Sequence, residues 1–386
     1  MAKNKRKRKI YSEAAKRKRK ALIARIRTFF VIVLVAGAVF GIVQFNKSIE
    51  IPLTVNSENY YILENGTRTS ASLNDNGETG DIWEDSDPET EDVFADQSLL
   101  KYRIPQPKLR AEYPIDMVIR SEYAIVYDVQ ADEVLYAKNA DQKCYPASTT
   151  KILTASVLLD TVPEDFLFTV GDELDFVNPE SSLAYVNKGN VLDLETIIDA
   201  LMLPSGNDAA YTAAANAGRY LSGNGDISSE MAVKTFVDEM NRTARYIGAE
   251  NTHFSDPDGF HDDDHYTTVL DMLKVVLYAR KKPMITASAA KPSAHAVFET
   301  GEEVYWENSN KLIQEYSDCY YMYATGMKTG MTDQSGYCVA ATAKRFGHDV
   351  ICLVFGAEAS DIRWNDTIAL LDAAFVQIRS REGING

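Results

Sequence analysis

The sequence is poor in cysteine: Cys144, Cys319, Cys338 and Cys352 are the only four, and none stands at C-x-x-C spacing. That argues against a zinc ribbon. Cys338 and Cys352 are expected on neighbouring strands, which leaves a disulfide between them open. Four cysteines allow three fully paired connectivities, and the sequence chooses none of them. Histidine is as scarce, with five residues. His261 and His265 are four apart with His253 upstream, but Asp262-Asp263-Asp264 between them reads as a solvated loop rather than a metal site. Asp256-x-Asp258-Gly259 is too short for a calcium loop, and Pro257 suits one poorly. No metal or organic cofactor is expected. Trp83, Trp306 and Trp364 are scattered, so they form no sugar-binding row, and there is no internal repeat.

Net positive charge is lacking from most of the chain. Net charge is −16, yet Met1 to Arg27 holds 13 Lys+Arg against one acidic residue, so that segment carries +12 and the remainder −28. An acidic body argues against nucleic acid as partner. The 18 residues from Thr28 to Phe45 are uncharged. That is just enough helix to cross a bilayer core of about 30 Å at about 1.5 Å per residue. A basic flank ahead of it predicts a cytoplasmic N-terminus and an extracytoplasmic remainder. Ala36-Gly37-Ala38 resembles a signal-peptide cleavage site, but the apolar run continues through Val43, which favours an uncleaved anchor. Anionic lipid headgroups are the expected partners of the basic clusters.

The organisation follows: residues 1–27 a basic cytoplasmic tail, 28–45 a transmembrane anchor, 46–112 a mostly disordered acidic stalk, and 113–382 the folded domain. Ser70 to Gln97 is too polar to bury a core. Tyr123–Asp128 and Val134–Ala137 read as a hairpin about Gln130–Glu133. A helix is expected from Ser148. Leu192–Leu203, Asp208–Ala217, Ser229–Ile247 and Thr267–Arg280 follow as helix candidates. Strands return at Tyr321–Met327, Gly336–Lys344 and Asp349–Phe355, the last two joined by a turn at Arg345–His348. Arg363–Arg379 closes the domain as an amphipathic helix. Strands at both ends with helices between imply an α+β domain, one antiparallel sheet flanked by helices with a helical insertion.

Three short patterns carry chemistry. Ser148-Thr149-Thr150-Lys151 puts a hydroxyl and an amine one helical turn apart. Serine is a poor nucleophile without a base, and lysine is a base only when neutral, which burial can achieve. Alone, the pattern also describes a capping serine beside a surface lysine. Ser205-Gly206-Asn207, 57 residues later, can deliver a hydroxyl and an amide into a cleft. Lys328-Thr329-Gly330, a further 123 residues on, follows the apolar strand; a strand can hold a lysine and a hydroxyl facing a pocket, and glycine admits close backbone approach.

In this order the three resemble the signature shared by penicillin-binding proteins and serine β-lactamases. The surroundings, Pro146 to Thr154, Ser205 to Ala210 and Gly326 to Thr332, are similar to the low-molecular-mass D-alanyl-D-alanine carboxypeptidases. So is Asp256-Pro257-Asp258-Gly259-Phe260, except that the family often has histidine where this chain has Asp258. The resemblance covers roughly Ile115 to Arg379 and implies a β-lactamase/transpeptidase-like fold. It implies that Ser148 attacks the carbonyl between the last two D-alanines of a peptidoglycan stem peptide, with Lys151 as base. Ser205 would relay a proton to the leaving amine, and Asn207 would orient Lys151 and the substrate. Lys328 and Thr329 would bind the terminal carboxylate, with Lys328 helping to keep Lys151 neutral. The backbone N–H groups of Ser148 and Met331, beside Gly330, would hold the oxyanion. β-Lactams would acylate Ser148. A serine β-lactamase or D,D-endopeptidase on the same fold is the alternative, and a non-catalytic wall-binding scaffold a further one. No E-x-x-L-N pattern lies between Asn207 and Lys328, which disfavours a class A β-lactamase.

Overall fold

The structure, a computed structural model, describes residues 103–104, 106–107 and 114–384. The expected tail and anchor, and nearly all of the expected stalk, lie outside the described residues. Among the described residues no helix is long and apolar enough to cross a membrane.

The strands are β1 (Tyr123–Asp128), β2 (Glu133–Lys138), β3 (Phe168–Thr169), β4 (Val191–Leu192), β5 (Ser293–Val297), β6 (Glu303–Glu307), β7 (Ala324–Thr332), β8 (Gly336–Arg345) and β9 (His348–Ala357). The helices are α1 (Lys151–Thr161), α2 (Leu194–Met202), α3 (Asn207–Ser222), α4 (Ser229–Ile247), α5 (Val269–Ala279), α6 (Pro283–Ala289) and α7 (Ser360–Arg381). Five strands form one antiparallel sheet in the order β2-β1-β9-β8-β7. Two small hairpins, β3–β4 and β5–β6, stand apart from it.

Alternation along the strands decides which core each side chain joins. Ala124 and Val126 of β1 and Val350, Cys352 and Val354 of β9 face one side, where Trp364, Leu371 and Phe375 of α7 cover them. Ile125, Tyr127, Ile351, Leu353 and Phe355 face the other, against the α1–α6 layer. The same alternation settles the cysteines. Cys338 lies in the helical-layer core and Cys352 in the α7 core, on opposite faces of the sheet. A bridge between them is therefore not made, and all four cysteines are free.

Helix α1 packs against α2, α3, α4 and α5 and is buried from Lys151 through Leu158. A helix apolar on all sides belongs inside. Side-chain caps set the starts of α2, α4 and α5: Asp193 accepts from Thr196 N–H at 2.7 Å, Ser228 from Met231 at 3.2 Å and Thr268 from Asp271 at 3.0 Å. Several expected boundaries shift: α3 runs on to Ser222 and α7 begins at Ser360. The helix expected from Ser148 opens instead with a 3-10 turn, Ala147–Thr150. The strand expected to end at Met327 runs on to Thr332, because buried polar residues continue it. Part of the expected stalk lies on the domain: Ile104 is buried and donates its N–H to Ile247 O at 3.2 Å, and Arg103 pairs with Glu250.

Candidate active site

The nucleophile's turn is held from three sides. The Cys144 and Thr267 backbones exchange hydrogen bonds of 2.8 and 2.9 Å just upstream. Thr149 ties back to Pro146 O through its hydroxyl at 2.6 Å. Gly259, at φ +82°, packs so tightly that a Cβ there would lie 1.9 Å from Ala147 O. Ala147 itself sits at φ +47° and Ser205 at +65°. Each left-handed non-glycine residue costs roughly 1–3 kcal/mol, a strain that persists only where the surroundings over-determine it.

Ser148 is half-buried, whereas Lys151 is completely buried. Lys151 Nζ lies 3.1 Å from Ser148 Oγ, 2.7 Å from Asn207 Oδ1 and 2.7 Å from Asp258 O. The last two atoms are pure acceptors. A neutral amine has two N–H groups for them and one lone pair left, and that lone pair can accept the Ser148 hydroxyl proton. Burial pushes the Lys151 amine down to about 8, against the opposing pull of Asp258, Asp256 and Asp208. Lys328, also wholly buried, is itself pushed well below its ordinary value by burial, then by Lys151 and Arg363.

Ser205 and Asn207 lie at the entry to α3. Asn207 N–H donates to Ser182 O at 2.8 Å, and the Asp208 carboxylate accepts from Ala184 and Val186 at 2.8 and 3.0 Å. These contacts fasten the 182–186 segment beside the site. Ser205 is nearly buried there, two residues from the amide that holds Lys151. On the opposite wall β7 is an edge strand. Gly330 meets the nucleophile's turn: a Cβ on it would fall 2.9 Å from Ala147 Cβ and 3.0 Å from Ser148 N. Thr329 Oγ1 shares a hydrogen bond of 2.7 Å with Ser309 Oγ, Lys328 Nζ donates to Thr329 O at 3.1 Å, and Met331 is exposed. The three motifs thus converge through Lys151–Asn207 and Gly330–Ser148.

Sequence reasoning missed Arg363, Asp256 and His265 as parts of this assembly. Arg363, buried near the start of α7, donates Nη1 to Gly330 O at 3.3 Å and Cys338 O at 3.1 Å, with its guanidinium 4.1 Å from the Trp364 ring. Burial brings it down to about 10, so it stays cationic at neutral pH. In the sequence it is one more charge on an amphipathic helix. His265, read as part of a solvated loop, points inward instead, with Nε2 2.8 Å from Thr150 Oγ1. His253 bonds Asp264 O, and His261 packs edge-on against Tyr145.

An antiparallel sheet between α7 and a helical layer, with a serine and a buried lysine on the central helix facing an edge strand, defines the penicillin-binding/transpeptidase class of fold. Residues 109–359 match the D-alanyl-D-alanine carboxypeptidase family, and the chain belongs to that family. It is 32% identical to a D-alanyl-D-alanine carboxypeptidase of Streptomyces sp. strain K15 over 250 residues, 62% of this chain and 82% of that one. It is 26% identical to the D-alanyl-D-alanine carboxypeptidase DacF of Bacillus subtilis over 266 residues, 68% of this chain and 64% of that protein. The crystal structure of the Streptomyces K15 DD-transpeptidase superposes with a TM-score of 0.62 at 28% identity, covering 68% of this chain and 99% of the other.

Proposed function

We propose that the protein is a serine-type D-Ala-D-Ala carboxypeptidase that removes the terminal D-alanine from peptidoglycan stem pentapeptides. The observation that carries this reading is the Lys151 amine, fully buried, with two acceptors for its two N–H groups and Ser148 Oγ at 3.1 Å for its lone pair. Ser148 Oγ gives its proton to Lys151 Nζ and bonds the penultimate carbonyl carbon. The backbone N–H groups of Ser148 and Met331 take the oxyanion, supported by the contact of Gly330 with Ser148 N. Collapse of the tetrahedral centre breaks the C–N bond, with Ser205 passing a proton to the departing D-alanine amine. Water then releases the shortened peptide and restores Ser148. Lys328, Thr329 and the cationic Arg363 behind Gly330 attract the terminal carboxylate. Penicillins present the same amide and carboxylate and acylate Ser148. The basic tail and the apolar run Thr28–Phe45 tether the enzyme to the cytoplasmic membrane, with the catalytic domain outside where stem peptides lie.

The test is intact-protein mass spectrometry after incubation with benzylpenicillin, followed by a D-alanine release assay on a pentapeptide. The expected result is one adduct, lost in Ser148→Ala, and released D-alanine. An unmodified protein that releases nothing would overturn the reading. Rapid turnover of the penicillin instead of a long-lived adduct would move it to a β-lactamase.

A further inference from the structure

Beneath Lys151 lies a second buried polar cluster that the three motifs do not include. Asp256 Oδ1 accepts the N–H groups of Asp258 at 3.0 Å and Gly259 at 2.6 Å, closing the turn whose next carbonyl, Asp258 O, receives Lys151 Nζ. Asp256 Oδ2 lies 3.2 Å from His265 Nδ1, and His265 Nε2 reaches Thr150 Oγ1, inside the nucleophile's own turn. Ser255 N–H also points at Nδ1 from 3.2 Å. A proton on Nδ1 serves the carboxylate better, since a charge-assisted bond is the stronger. Thr150 then donates its hydroxyl to Nε2. Thr154 Oγ1 bonds Pro257 O at 2.7 Å and pins the same turn to α1.

We propose that Asp256 is a positioning residue for acylation: it aims the Asp258 carbonyl at Lys151 and places a buried negative charge where the lysine ammonium forms. The inference rests on the function proposed above. In the acylation step the Ser148 O–H bond breaks and a Lys151 N–H bond forms. The oxygen's electron pair goes to the substrate carbonyl carbon. A neutral amine thereby becomes a cation at a site without water contact, which is costly unless an anion is already in place. Of the two adjoining carboxyls, Asp256 is the one suited to carry that charge, since it accepts two backbone N–H groups and faces His265, whereas Asp258 Oδ1 accepts the one of Phe260 at 2.8 Å. Burial alone would raise Asp256, but His265, Asp258 and the Gly259 N–H hold it below the usual carboxylate range. Burial and the Asp256 charge push Asp258 well above that range. Lys151 also faces Asp208 from α3, and Lys328 from β7 with Arg363 behind it, while Tyr211 of α3 faces the Asp256–Asp258 pair.

The test follows the second-order rate of acylation by benzylpenicillin from pH 6 to 10 in the full chain and in Asp256→Asn. Asparagine keeps an oxygen for the two turn N–H groups and removes the charge together with the second oxygen that faces His265. The acid limb is expected to move down by about half a pH unit or more, since a lost anion lowers a neighbouring amine's proton affinity. The plateau rate at high pH is expected to fall several-fold, because the ammonium has lost its counter-charge. A profile that superposes on the parent overturns the proposal, as does a limb that moves up. So does a shift seen with Asp258→Asn but not with Asp256→Asn. If Asp256→Asn shows no cooperative thermal transition, Asp256→Ser, which can also cap the turn, takes its place with the same expectation. A parent protein that forms no adduct would refute the proposed function instead, so the two failures read differently.

Discussion

At the scale of single residues, the site depends on a lysine being kept out of water. Lys151 has burial lowering its proton affinity and three aspartates raising it, and the balance leaves it at about 8. The sign for activity follows directly. Only the neutral amine can take the Ser148 proton, so the competent fraction grows with pH and saturates above about 8. Below that it falls roughly tenfold per pH unit. The rate of penicillin acylation in the unmodified protein is therefore expected to show a single acid limb near pH 8, measured by stopped-flow or quenched mass spectrometry. An acid limb near pH 5 would mean that a carboxylate, and not Lys151, is the base. Lys151→Arg keeps a cation that does not deprotonate near neutral pH, and is expected to lose the reaction at every pH tested.

At the scale of elements, the site is a contact between one edge strand and one helical turn. Gly330 is where β7 passes the Ser148 backbone, and a methyl group there would need Ala147 Cβ and Ser148 N to give way from 2.9 and 3.0 Å. Gly330→Ala is expected to fold, since the strand is otherwise paired along β8, but to slow acylation by about 10²-fold as the oxyanion donors separate. An unchanged acylation rate would show that the β7 backbone has no part in the chemistry. The same contact explains how much the sequence disclosed. Ser148, Lys151, Asn207 and Gly330 were legible because each motif is a local pattern and all must meet in one crevice. The antiparallel sheet and the helices α2 to α5 were legible from apolar spacing. The end of β7 was not, because Lys328 and Thr329 are polar residues buried in a strand, against the usual pattern. The β5–β6 hairpin was not assigned because each of its strands has five residues and one buried side chain, Ala296 or Trp306, too short a run to stand out. Arg363 and His265 were hidden for a related reason. Their roles come from partners 33 and 115 residues away, which no local pattern encodes.

At the scale of the whole molecule, two charge regimes are joined in one chain. The first 27 residues carry +12 and everything after them −28. The acidic remainder includes the folded domain, and an anionic lipid surface repels acid and attracts base. A tether through Thr28–Phe45 would thus be held by its basic flank while the acidic part stands off from the membrane. The full chain is expected to sediment with membranes and to resist extraction by high salt and alkali. A chain starting at Asn46 is expected to be soluble and to form the penicillin adduct at an unchanged rate, because among the described residues the contacts to Ser148 and Lys151 come from Asn207, Asp258 and Gly330. Release of the full chain by salt alone would reduce the basic tail to a surface attachment, since about 18 buried apolar residues should withstand screening that lysines do not.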